Sequence, residues 1–116
     1  MTVTIHGIRN CDTMKKAFTW LKAHEIEYQF HDYKKAGIDA SLLDAWIARI
    51  GWEPLLNRRG MTWRKLNDGI KANIDLDSAR TLMLENPSII RRPVLDNGDK
   101  LTVGFTEENY RALFRE

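Results

Sequence analysis

A second cysteine is what this chain most plainly lacks: Cys11 is the single one in 116 residues. That excludes an internal disulfide framework and fits a reducing compartment. A dominant charge sign is missing too. The 18 lysines and arginines are interleaved with 16 aspartates and glutamates, for a net charge of +2, so no nucleic-acid partner is expected. No apolar run approaches the ~20 residues that cross a bilayer, which argues against a membrane partner. The N-terminus reads straight into a strand with no signal-like segment, so a cytoplasmic location is expected. His6, His24 and His31 have no ligand spacing with one another or with the cysteine, and no metal is expected. Repeats, low-complexity tracts, linkers and phosphate-loop glycine spacing are all absent.

What remains is an ordinary globular composition, 43% hydrophobic and 29% charged, with length for one core. The alternating, β-branched run Thr2 to His6 predicts a strand. Asp12 to His24 sets Met14, Ala17, Phe18 and Leu21 on one helical face, leaving Trp20 opposite and partly exposed. Ile26 to His31 predicts a second strand, parallel to the first, and Tyr33 to Gly37 a loop. A helix capped by Asp39 or Ser41 buries Leu42, Leu43, Trp46, Ile47 and Ile50 and stops at Gly51. The turn Asn57 to Gly60 leads into a short helix over Thr62 to Leu66. Asp75 or Asp77 caps another, with Leu76, Ala79, Leu82 and Met83 inward and Asn86-Pro87 ending it. Val94 to Asp96 and Lys100 to Phe105 flank Asn97-Gly98, a strong hairpin signal. Thr106 caps a last helix carrying Tyr110, Leu113 and Phe114.

The order is therefore βαβ, a helical insertion over roughly 38–88, then ββα, in a single domain of residues 1–116. That is the thioredoxin layout, an α/β fold. It places a reactive cysteine after the first strand and a cis-proline, here at Arg92-Pro93, across from it.

Cys11 stands where the first helix should begin, with Asn10 as the predicted N-cap. A lone cysteine is commonly a small buried apolar residue. The unpaired N–H groups of a first helical turn instead favour an anion, and the thiolate is the reactive form. Met14 occupies the place where a second cysteine would complete C-x-x-C, so any disulfide chemistry must borrow a thiol from another molecule. Single arginines are usually solvated or paired at the surface. Two pairs, Arg58-Arg59 and Arg91-Arg92, make an inward-pointing one the better expectation, and Arg92 is the first choice. Asp12 would repel a thiolate and is expected to face solvent. Trp46, Trp52 and Trp63 read as packing residues.

The stretches Gly7 to Ala17, His31-Asp32-Tyr33, Leu55 to Leu66, Ile90 to Pro93 and Val103-Gly104-Phe105, in this order, resemble the arsenate reductase/Spx family, nearest its YffB-like branch. The resemblance implies Cys11 as nucleophile. It implies a ligand site drawn from Arg92, Arg59, Asn10, Arg9, Pro93 and Thr13, with the two arginines on the carboxylates of glutathione or on another anion. No tightly bound cofactor is implied. Glutathione serves as co-substrate, and it or a glutaredoxin-like thiol donor is the partner, for a small oxidised thiol or an oxyanion substrate. Two alternatives stand beside this monothiol reductase. A glutaredoxin-coupled arsenate reductase is weakened because the arginine such enzymes carry late in the last strand is absent from Leu101 to Phe105. A non-catalytic Spx-like binding module would lack the C-x-x-C switch, which Met14 removes.

Overall fold

The computed structural model describes residues 3–114, so Thr2, the expected start of the first strand, lies outside it. In chain order the first half holds β1 (Thr4–Gly7), α1 (Asp12–Ala23), β2 (Gln29–Asp32), α2 (Tyr33–Ala36) and α3 (Ala40–Ile50). The rest holds α4 (Met61–Arg64), α5 (Asp68–Ala72), α6 (Leu76–Glu85), a 3-10 turn (Pro87–Ile89), β3 (Val94–Asp96), β4 (Leu101–Val103) and α7 (Glu107–Leu113). Two compact units result: Met1–Ala36 with Arg92–Glu116, and Gly37–Arg91.

The first unit is the thioredoxin-like one. Its sheet runs β2-β1-β3-β4, with β1 parallel to β2 and antiparallel to β3, and β3 antiparallel to β4. A crossover helix, α1, is what lets β1 and β2 run parallel. Val3 and Ile5 alternate onto one sheet face, where Met14, Ala17, Trp20 and Leu21 of α1 meet Leu95 and Tyr110. Met14 and Leu21 are fully buried, each worth roughly 1.5–3 kcal/mol of apolar transfer. Trp20 differs from expectation. It is 6% exposed, covered by His24, Tyr110 and Phe114, because α7 packs over the flank of α1 that the helical pattern left open.

Boundaries moved where side chains or a helix end supplied hydrogen bonds that periodicity does not register. The expected loop at Tyr33 is the one-turn helix α2, started by Asp32 Oδ1 accepting the Lys34 and Lys35 N–H groups at 3.0 and 3.3 Å. β2 begins at Gln29 rather than Ile26, since the Ile26 N–H is taken by the Leu21 carbonyl. The Asn97-Gly98 hairpin forms, but strand pairing resumes at Leu101. Asn97 Oδ1 accepts the Asp99 and Lys100 N–H groups and widens the loop.

In the second unit Asp39 caps α3, whose Leu43 and Trp46 are buried. Asp75 caps α6 in a reciprocal capping box with Ser78. Arg80 of α6 donates to both carboxylate oxygens of Asp44 on α3, at 2.6 and 3.1 Å. Leu76 is 46% exposed, not inward, because it is the first residue of its helix. The short helix starts one residue early, at Met61. α5 was not foreseen; it is set by Asn67, whose side chain accepts from the Ile70 N–H.

Candidate active site around Cys11

Gly7 ends β1, and the chain crosses Ile8, Arg9 and Asn10 before α1 begins. The helix is capped one residue later than expected. Cys11, not Asn10, is the N-cap, with extended backbone at φ −144° and ψ 131°. Asn10 is exposed and does not cap the helix. The extended backbone of an N-cap turns its side chain toward the N–H groups two and three residues on. Here those belong to Thr13 and Met14, and the side chain is a thiol.

Burial pushes the half-buried Cys11 thiol up. The Met14 amide, the Arg92 guanidinium and the Thr13 amide, all directed at the sulfur, outweigh it and leave the thiol below its ordinary range. Each of these donors stabilises the thiolate over the thiol. Thr13, expected among ligand-binding residues, thus contributes through its backbone.

Arg92 directly precedes Pro93, and the peptide bond between them is cis, as the layout implied. Its guanidinium also bonds the hydroxyl of Tyr33, a residue with no exposed surface. Burial pushes the Tyr33 phenol up to about 12, while Arg92 opposes that rise, so the hydroxyl is neutral at physiological pH. Tyr33 was missed in the sequence. A signal existed: the parallel strands β1 and β2 end at one edge of the sheet, so the residues after each are neighbours, as at ligand sites of parallel sheets. The Arg9 guanidinium carbon lies 5.4 Å from the centre of the Phe30 ring. Arg59 belongs to the Gly37–Arg91 unit.

The sheet also joins two histidines that sequence spacing kept apart. Parallel pairing sets His6 beside His31, and their Nδ1 atoms are 2.8 Å apart. The arrangement requires one ring to donate and the other to accept, so a single proton lies between the two Nδ1 atoms. Among the described residues no group of three or more histidine, cysteine or acidic side chains is placed to hold a metal.

A half-buried thiol whose thiolate is favoured by two amides and one guanidinium can act as a nucleophile toward sulfur or an oxyanion centre. Known proteins carry the same arrangement of chain. Residues 6–113 match the ArsC family. A solved structure described as an arsenate reductase (ArsC) related protein from Brucella melitensis is 54% identical, covering 100% of this chain and 97% of its own, with a TM-score of 0.81. A solved protein named YffB is 50% identical with a TM-score of 0.90, covering 96% of this chain and 97% of its own. The global transcriptional regulator Spx of Streptococcus pyogenes is 26% identical over 113 residues, covering 96% of this chain and 84% of its own.

Proposed function

The chain belongs to the ArsC family, and from that premise we propose that it is a monothiol oxidoreductase that reduces an oxidised small thiol with glutathione. One observation carries the reading: the only cysteine is held below its ordinary pKa by Met14, Arg92 and Thr13. The Cys11 thiolate attacks the glutathione sulfur of a mixed disulfide, forming a Cys11–glutathione disulfide and expelling the substrate as its thiolate. A second glutathione thiolate attacks that disulfide at the glutathione sulfur. Oxidised glutathione leaves and the Cys11 thiolate returns. In net, the substrate–glutathione disulfide and one glutathione thiolate become the substrate thiolate and oxidised glutathione, the incoming glutathione sulfur being oxidised as the substrate sulfur is reduced. The resolving thiol comes from solution because the chain has no second cysteine. Arg92 holds the negative charge that moves between sulfur atoms. A glutaredoxin-like protein is the alternative donor of the second thiol.

Intact mass after exposure to oxidised glutathione tests this. The parent should gain one glutathionyl group and Cys11→Ser none. An unmodified parent would remove the central intermediate. Turnover of arsenate in the presence of glutathione would replace this reading with arsenate reduction at the same cysteine.

A further inference from the structure

We propose that the outer flank of α1 carries a binding site for a small aromatic carboxylate, anchored on the buried indole N–H of Trp20. The flank and the chain entering α7 enclose a cavity of about 540 Å³. That lies within the roughly 300–1,000 Å³ of small-molecule pockets. Trp20, Ala23 and Phe105 make its lining mostly apolar, as such pockets are. Every lining residue belongs to the thioredoxin-like unit, and Cys11 is not among them. The site therefore stands apart from the thiol chemistry.

The anchor is an unmet donor. Trp20 is almost wholly buried, yet among the described residues nothing accepts from its indole N–H. A tryptophan buried this deeply ordinarily finds an acceptor for that group. Its ring is not free to turn and find one. His24 stacks on it at 3.8 Å, Tyr110 meets it edge to face at 5.5 Å, and Phe114 lies nearly parallel at 5.8 Å. His24 is tied down in turn, its Nδ1–H donating to the Trp20 carbonyl at 2.8 Å. The acceptor must come from outside the chain, and the cavity is the side from which it enters.

Charge and shape select the ligand. Lys15 and Lys16 stand exposed in the lining against one carboxylate, Glu107, which leaves the rim net positive. Exposed lysines choose the sign of a ligand without holding it tightly. The buried donor and the apolar floor do the holding. A carboxylate oxygen accepts from the indole N–H, and a charged acceptor makes the stronger bond. An aromatic ring attached to it lies against Ala23 and Phe105. A bare inorganic anion would leave that floor wet, and a neutral arene would leave the donor unmet.

The test is a titration of the ¹⁵N-labelled full chain with phenylacetate at constant ionic strength. It is followed at the Trp20 indole N–H signal, one of four such signals and assigned in the parent. A saturable downfield shift of this signal is expected, retained in Cys11→Ser. Acetate and benzyl alcohol, each carrying half of the recognised chemistry, should shift it far less at equal concentration. Lys15→Gln with Lys16→Gln should weaken phenylacetate binding about twofold to fivefold. Ala23→Phe, which fills the cavity, should abolish it. An equal response to acetate or to benzyl alcohol would overturn the proposal. So would an unmoved Trp20 signal in the parent, a result that requires no variant to fold. Loss of the shift in Cys11→Ser would move the ligand to the thiol and overturn it as well.

Discussion

The buried hydroxyl of Tyr33 accepts a hydrogen bond from the guanidinium of Arg92, which also bonds the Cys11 sulfur. Tyr33 therefore acts on the thiol through Arg92 rather than by touching it. In Tyr33→Phe the guanidinium loses the acceptor that orients it, and a charge-assisted bond of roughly 1.5–3 kcal/mol is at stake. The Cys11 pKa should rise toward the ordinary thiol value, read by ultraviolet thiolate absorbance against pH. In an Arg92→Ala background the same tyrosine change should leave that titration unmoved. An effect of equal size in both backgrounds would make Tyr33 a packing residue only.

Arg92 itself separates site from scaffold. An ammonium cannot bond Tyr33 and Cys11 with one planar fork, so even Arg92→Lys should raise the thiol pKa and slow reaction with oxidised glutathione about tenfold or more. Reaction at the parent's rate, measured by intact mass over time, would show that the guanidinium is dispensable. Circular dichroism should show the variant folded.

The sequence disclosed the halves of the fold because each rests on short-range patterns: the period-two run ending at His6, the helical face of Met14, Ala17 and Leu21, and Asn97-Gly98 between two strands. Cys11 was legible from its place ahead of the first helix and Arg92 from the two arginine pairs, whereas the cis Pro93 was implied by the thioredoxin layout and Thr13 by the family resemblance alone. What stayed hidden was made by pairing between distant segments. Tyr33 meets Arg92 only once β2 lies beside β1, and His6 meets His31 only through strand register. The cap fell on Cys11 rather than Asn10 although residue preference favours asparagine, because the backbone stays extended through Cys11.

The histidine pair makes the sheet acid-sensitive. Burial first, then the neighbouring His31, lowers the His6 pKa to about 4, while Asp96 works weakly the other way. The unfolded chain takes up this proton near pH 6.5, before the folded protein does. Stability is therefore full above pH 6.5 and falls as pH drops from 6.5 to about 4, by roughly 3 kcal/mol for this group. Urea midpoints measured across that window should decline in the parent and decline less in His6→Asn. A parent whose midpoint is flat over the window would show that the pair takes up its proton equally well in both states.

Met14 fills the position after Cys11 that a resolving cysteine would take, and it does so by packing on Gly7. A Cβ added at Gly7 would lie 2.6 Å from Met14 Cε, and closer still to Sδ. Met14 has no exposed surface, so its thioether has little room to swing away. Overpacking of this kind costs roughly 1–3 kcal/mol, softened by the flexibility of methionine. Gly7→Ala should therefore lower the denaturant midpoint with an unchanged slope. Because Met14 also supplies the amide nearest in effect to the Cys11 sulfur, pushing its side chain outward should displace that N–H and raise the thiol pKa. Gly7→Ala combined with Met14→Ala, which clears the space, should restore the thiol titration even though the cavity keeps stability low. A pKa that stays raised in the double variant would place the fault in the backbone at Gly7 rather than in the contact with Met14.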